Sequence, residues 1–302
     1  MATAPKAALD SAKRSSWRRR AIRLLAGAAC CYLGVIVVLV LLENWLLYHP
    51  LKAREVWLAP PNPRVQDIEL RTSAGIRIHG WWCPVEKWEP EQGALLYCHG
   101  NAGNLSCRAD AIARWQNELG KSVLIFDYPG FGRSEGKPSE AGCYAAADAA
   151  YAWLTEVQKV PPEQLLIYGG SLGGGVAVDL ASRMPHGALI LVKTFLSIPD
   201  VAQRLYPWLP ARWLVRNRFD SQSKIGLCRQ PVLVAHGTAD SLIPFAQGRR
   251  LFEAANEPKC FVAMEGVDHN DFVSSEFFQA LRKFLEETSR NAGQRASVAV
   301  HP

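Results

Sequence analysis

Two hydrophobic patterns divide this chain. The first is a single unbroken run: residues 24–42 carry no charge over 19 positions. A helix of that length rises about 28 Å, enough to cross the hydrocarbon core of a bilayer. Trp45 and Tyr48 follow at the depth where aromatic belts form. The second pattern begins with two strand-like stretches, 64–70 and 76–83, joined by the hairpin signal Thr72-Ser73-Ala74-Gly75. After it, continuous apolar runs at 94–98, 122–126, 164–168, 188–192, 231–235 and 260–264 alternate with helical segments near 105–119, 141–158, 176–181, 245–255 and 275–287. Apolar strands between helices predict a parallel sheet buried on both faces, an α/β fold.

These patterns predict a basic arm (1–23), a transmembrane anchor (24–47), a connector (48–63) and a globular domain (64–290) with an irregular insertion at 195–228. Residues 291–302 read as a disordered tail. Charge sharpens this division. Residues 1–23 hold seven basic side chains against one acid, Asp10, which accounts for the whole formal net charge of +6. The remainder is neutral, so no folded basic face is left for nucleic acid, and none is expected as a partner. Arginines before the apolar run place the N-terminus in the cytoplasm and the globular domain across the membrane, periplasmic or otherwise extracytoplasmic. No small-x-small cleavage site follows Leu42, which favours an uncleaved single-pass anchor in the lipid bilayer over a signal peptide. None of the eight cysteines forms a C-x-x-C pair, so no zinc site is expected. Cys228 and Cys260 lie at the starts of two strands and could meet if those strands are neighbours; scattered buried thiols are the simpler reading.

Ligands of an open α/β sheet bind beyond the carboxyl ends of its strands, so chemistry is sought just after each apolar run. Gly169-x-Ser171-x-Gly173 follows the run at 164–168 and opens a helix. A serine on so tight a strand-to-helix turn needs flanking glycines, and its hydroxyl meets the free N–H groups of the helix start. His236-Gly237-Thr238-Ala239-Asp240 follows the run at 231–235, and Asp268-His269-Asn270-Asp271 follows the last. Serine needs a base to take its proton. His269 is the histidine after the last strand, and Asp240 is the acid to orient it, with Asp268 and Asp271 as rivals. His236 and His99 are the other histidines near strand ends; His236 reads as structural. An oxyanion needs two fixed N–H donors. The expected pair is Leu172, after the nucleophile, and Asn101, in the loop His99-Gly100-Asn101-Ala102-Gly103-Asn104. No metal or cofactor is required. The 195–228 insertion supplies Tyr206, Trp208, Trp213 and Phe219, with Arg204, Arg212, Arg216 and Arg218. As a small cap, it would offer Tyr206, Trp208, Trp213, Arg212 and Arg216 as substrate contacts for an acyl chain with an anionic portion, Arg212 and Arg216 sharing a helix face.

Together, the His99–Asn104 loop, Asp127-Tyr128-Pro129-Gly130-Phe131-Gly132-x-Ser134, the Ser171 turn and the Asp240 and His269 loops resemble the α/β-hydrolase superfamily. More narrowly, they are similar to its serine-aminopeptidase-like branch, which includes membrane-anchored acyl-protein thioesterases. The resemblance covers about residues 64–288. It implies an eight-stranded, mostly parallel sheet with a Ser-Asp-His triad at its carboxyl edge, acting on an acyl ester or thioester substrate. It leaves esterase, thioesterase, peptidase, acyltransferase and a non-catalytic scaffold as functions this fold can host. Relatives often carry an acidic residue after the sixth strand, where this chain has Lys193-Thr194-Phe195.

Overall fold

The computed structural model describes residues 4–299, with side chains for residues 17–290. The chain divides into two compact units, 1–46 and 47–302. The first holds helix α1 (Ala4–Leu41), which begins well inside the expected basic arm. Within it, Trp17–Leu41 is long and apolar enough to cross a membrane, judged by length and composition.

The second unit is built on eight strands: β1 (Gln66–Arg71), β2 (Arg77–Cys83), β3 (Ala94–Cys98), β4 (Ser122–Phe126), β5 (Leu165–Gly170), β6 (Ala188–Val192), β7 (Val232–Gly237) and β8 (Lys259–Met264). They lie in the order β8-β7-β6-β5-β3-β4-β2-β1. β1 and β2 form the predicted antiparallel hairpin, β2 meets β4 antiparallel, and every other pairing is parallel. This is the α/β-hydrolase arrangement expected from the resemblance.

The apolar runs are explained by what lies on each face. Leu96, Leu124, Ile167, Leu189 and Val234 pack on one side, with the helices α3 (Glu140–Ala152), α4 (Leu172–Ala181) and α8 (Phe245–Ala254). Leu95, Ile125, Tyr168, Ile190 and Leu233 pack on the other, with α2 (Ala109–Leu119) and α9 (Ser275–Ala299), whose Trp115, Phe277 and Phe278 are buried there. Period-two side chains with both faces covered leave no charged position in β3, β4 and β6. The insertion forms the short helices α5 (Ile198–Leu205), α6 (Ala211–Leu214) and α7 (Ser221–Lys224).

Two expectations are corrected, and the simpler reading of Cys228 and Cys260 as unpaired thiols holds. The disordered tail does not begin at residue 291: α9 continues to Ala299, through a stretch that has no proline to stop it, and residues 300–302 lie outside the described residues. Cys228 and Cys260 are both free although β7 and β8 are neighbours; the Cys228 thiol instead lies 3.9 Å from the Val178 carbonyl. Arg212 and Arg216 share no helix face, because α6 stops at Leu214 and Val215 is extended.

The connector is not a loose tether. His49–Pro50 pairs with Ala102–Gly103, and Asn104 Nδ2 donates to the carbonyls of Leu51 and Val56 at 3.2 and 2.8 Å. The Leu58 N–H donates to Ser106 Oγ at 3.0 Å. Residues 47–58 thus form a strap over the loop that follows β3.

Candidate active site

The strand order reverses at β3. Connections from β3 run to β4 on one side, and β5 returns on the other, with Cys98 opposite Gly169 at the carboxyl ends. Loops leaving β3 and β5 therefore separate and open a crevice between them. Ser171 and the His99–Asn104 loop stand at that point.

Ser171 has φ 52° and ψ −121°, a region that a side chain other than glycine seldom occupies. Its N–H donates to the Val192 carbonyl at 3.1 Å, and its carbonyl accepts from Thr194 Oγ1 at 2.8 Å, so β6 holds the strained turn. The glycines on either side are needed for close approach. A Cβ on Gly169 would sit 2.6 Å from Ala177 Cβ, and one on Gly173 would sit 2.0 Å from the Cys98 carbonyl oxygen.

His269 Nε2 lies 3.0 Å from Ser171 Oγ, and its Nδ1 lies 2.9 Å from Asp240 Oδ2. Asp240 Oδ1 accepts the N–H groups of Leu242 and Ile243 at 3.1 and 2.7 Å. Burial alone would push this carboxyl up. Hydrogen bonds from His236, His269 and the Ile243 N–H, with the charge of His269, more than offset that and hold it below the usual carboxylate range. The rival acids turn elsewhere: Asp268 Oδ1 accepts the Ser241 N–H at 2.7 Å, and Asp271 Oδ2 the Asp268 N–H at 2.8 Å. His236 is fully buried with Nε2 2.8 Å from the Ile243 carbonyl oxygen, a structural placement.

Gly100 runs beside the nucleophile, a Cβ there lying 3.5 Å from that of Ser171. Asn101 lines the same cleft and donates through its side-chain amide to the Leu47 carbonyl, at one end of the strap. Leu172 is the first residue of α4, where the backbone N–H has no partner within the helix. His99 is fully buried and burial pushes its imidazole down to about 3, so it stays neutral and unsuited to act as base.

Lys193 is the residue that sequence reasoning passed over as a departure from the family pattern. It follows β6 directly, at φ 49°, and is buried. Its ammonium donates to the carbonyls of Asp268, His269 and Asp271 at 2.8, 3.1 and 2.5 Å, which pins the loop that carries the imidazole. Burial pushes this ammonium down, and the carboxylates of Asp240, Asp271 and Asp268 oppose that. Charge-assisted bonds of this kind contribute about 1.5–3 kcal/mol each. Lys193→Met is expected to lower kcat by about 10- to 100-fold with a smaller change in KM, because a 1 Å drift of the imidazole is costly. Steady-state kinetics beside hydrogen exchange over residues 266–273 checks this. Unchanged kcat with a loosened loop would overturn the positioning role.

Asp127, below the His99–Asn104 loop, accepts the Leu105 N–H at 2.8 Å. Burial pushes its carboxyl up to about 7, against the Leu105 and Arg133 N–H groups and the charges of Lys52 and Arg133. A raised folded-state value means that the folded protein keeps a proton the unfolded chain has lost. Stability is then greatest below about pH 4 and falls towards pH 7, by up to about 1.4 kcal/mol per unit from this group. Asp127→Asn should flatten that slope in denaturation midpoints measured from pH 4.5 to 7.5.

A cleft of about 390 Å³ opens at Ser171 and His269. Beyond them it is lined by Tyr97, Tyr168, Trp115, Arg108 and Phe272. The cap residues Tyr206, Trp208, Trp213, Arg212 and Arg216 do not line it. Trp213 is 89% exposed, Trp208 55% and Tyr206 51%, while Arg212 pairs with Asp200 at 3.0 Å. Phe219, the fourth cap aromatic, is buried in the core instead. Among the described residues, no group of His, Cys, Asp and Glu is placed to hold a metal ion.

Comparison with known proteins agrees with this fold. A family model described as the alpha/beta hydrolase fold matches residues 93–223. An uncharacterized protein of Mycobacterium tuberculosis is 38% identical over 275 residues, spanning 90% of this chain and 97% of its own length. Alpha/beta hydrolase domain-containing protein 17B of Xenopus laevis is 32% identical over 249 residues, spanning 81% of this chain and 83% of its own. Among solved structures, an esterase of Pyrococcus furiosus matches with a TM-score of 0.64 at 15% identity, over 80% of this chain and 98% of that one. A puromycin-hydrolyzing peptidase of Mycobacterium tuberculosis matches with a TM-score of 0.61 at 19% identity, over 74% of this chain and 39% of that one. At such identities the structural likeness is one of fold.

Proposed function

Because the chain belongs to the α/β-hydrolase family, we propose that it is a membrane-anchored serine hydrolase that cleaves carboxylic esters or thioesters through an acyl-Ser171 intermediate. The observation that carries this reading is the continuous contact from Ser171 Oγ through His269 to Asp240, at 3.0 and 2.9 Å. Ser171 Oγ attacks the carbonyl carbon as His269 Nε2 takes its proton. The N–H groups of Asn101 and Leu172 receive the charge that develops on the carbonyl oxygen. Collapse of the tetrahedral intermediate breaks the bond to the alcohol or thiol, which leaves with the proton from His269. Water, deprotonated by the same imidazole, then attacks the acyl carbon and releases the acid and free Ser171. Asp240, held ionised, keeps the imidazole in the right tautomer throughout.

Similarity to an esterase supports esters as substrates, and similarity to a peptidase makes amides the outcome to test against. Wild-type protein is expected to be labelled at Ser171 by a fluorophosphonate and to turn over matched ester and thioester substrates faster than the amide. Folded protein that takes no label would overturn the catalytic reading in favour of a scaffold. Product analysis with an added alcohol acceptor separates hydrolysis from acyl transfer. On this reading the anchor is the apolar part of α1, and the arginines that precede its uncharged run support an orientation with residues 47–302 outside the cytoplasm. A reporter fused after Pro302 should be active there; cytoplasmic activity would overturn the orientation.

A further inference from the structure

The cleft beside Ser171 is lined by the guanidinium of Arg108. Arg108 ends the 3-10 turn Leu105–Arg108, directly after the loop that carries Asn101. One guanidinium nitrogen donates to the Ala102 carbonyl at 2.8 Å, which fixes the side chain and leaves its other donors for a ligand. Among the described residues no carboxylate lies within ion-pair distance of it, in contrast to Arg77, Arg183 and Arg282. Lys193, the ammonium at the cleft, is engaged with three carbonyls. Two acids also line the cleft: Asp110 is exposed in the first turn of α2, and Asp271 is turned to the Asp268 N–H.

Beside Arg108 the wall is aromatic and buried. The rings of Tyr97 and Tyr168 are tilted against each other with centroids 4.4 Å apart, and Trp115 packs edge-on to Tyr168 at 4.8 Å. Burial pushes both tyrosine hydroxyls up, against the charge of Arg108. The guanidinium thus faces a low-dielectric surface in which an ionic contact is strengthened. A planar fork of donors is suited to a carboxylate or phosphate, which it can bind bidentately.

We propose that this cleft selects substrates carrying an anionic group, a carboxylate or phosphate, bound by Arg108 against the Tyr97–Tyr168–Trp115 wall. The inference rests on the reading of Ser171 as the acyl-accepting nucleophile and adds the charge of the substrate to it. The group sits on the part of the ester, acyl or alcohol, that extends from Ser171 into the cleft.

The test pairs each charged ester with its neutral methyl-capped isostere. One pair is mono-p-nitrophenyl adipate and methyl p-nitrophenyl adipate, with the charge on the acyl side. A second pair is a 4-acetoxybutanoate and its methyl ester, with the charge on the alcohol side. In wild type, kcat/KM for the charged member of one pair is expected to exceed that of the neutral member by at least about tenfold at low salt, a preference that salt weakens. Arg108→Gln should cost the charged ester at least about tenfold more than the neutral one, and Arg108→Lys should keep part of the preference. Equal losses on both members, or no preference in wild type, overturn the proposal while leaving the hydrolase reading intact. If wild type turns over no ester, the hydrolase reading fails and the anion site is judged by thermal stabilisation with millimolar monomethyl adipate. A Tm rise in wild type that is absent in Arg108→Gln supports the site, and no rise overturns it.

Discussion

Ser171→Ala and His269→Ala are each expected to lower ester turnover by at least about 10³-fold while the protein stays folded. The two side chains and Asp240 form one contact chain, so removing a second member should cost little beyond the first, and the double variant should match the singles within about tenfold. Ser171 is held by Val192 and Thr194 through its backbone, not through the hydroxyl, so deletion of Oγ leaves the turn supported. Fluorophosphonate labelling should vanish in Ser171→Ala and slow sharply in His269→Ala. Asp240→Asn should also be severe, because an amide N–H can donate to Nδ1 and hold the imidazole in the tautomer that cannot take the Ser171 proton, whereas Asp268→Asn should be mild because Asp268 caps the Ser241 N–H. A His269→Ala variant retaining turnover within tenfold of wild type would remove the base from this account. Near-normal Asp240→Asn with a defective Asp268→Asn would reassign the acid.

Gly173→Ala is the substitution expected to damage the fold most for its size. Its Cβ would lie 2.0 Å from the Cys98 carbonyl oxygen, 2.5 Å from the carbonyl carbon and 2.6 Å from the His99 oxygen. All three are backbone atoms of β3 and of the residue that follows it, so no rotamer change relieves the overlap. Either α4 moves off the sheet or the end of β3 is displaced, and both separate Ser171 from the Asn101 loop. The expected loss is more than about 3 kcal/mol, or a fall in Tm of roughly 6–12 °C for a domain of this size. Gly226→Ala is the matched control: the nearest neighbour of its Cβ is the Ala254 oxygen at 3.7 Å, an ordinary contact. Melting curves of the two variants decide the matter, and a Gly173→Ala Tm within 2 °C of wild type would overturn the packing argument.

What could be read from the chain alone follows from where its information is local. The strand runs are apolar because both faces of the sheet are covered, so β3, β4 and β6 fall where continuous hydrophobicity predicts them. Ser171, Asp240 and His269 were legible because each follows a strand end, and the parallel sheet brings those ends to one edge. The start of α4 was not. Three consecutive glycines are poor helix formers, yet they are helical here because small residues let α4 approach β3 and Thr194. Lys193 was illegible for a different reason. A lysine after a strand reads as exposed, and only the return of the 265–273 loop over β6 supplies the carbonyls that bury it. The aromatic insertion misled in the opposite direction: its composition suggested a substrate wall, while Trp213 points to solvent and Phe219 into the core. The cleft at Ser171 is instead lined by Tyr97 and Tyr168, which in sequence look like ordinary strand residues.

The strap made by residues 47–58 sets a practical limit on how this protein is shortened. Removing the apolar helix is the usual route to a form that can be handled without detergent, and residue 63, where the connector was expected to end, is a natural place to cut. Such a cut would also strip the Leu47 carbonyl from Asn101, the Leu51 and Val56 carbonyls from Asn104, and the His49–Pro50 pairing from Ala102–Gly103. The resulting fragment would retain all three members of the Ser171 relay and lose the brace on the loop that faces it. A weak fragment begun at residue 64 would then report on its missing brace, and one begun at Leu47 is the form in which a soluble assay measures the intact site.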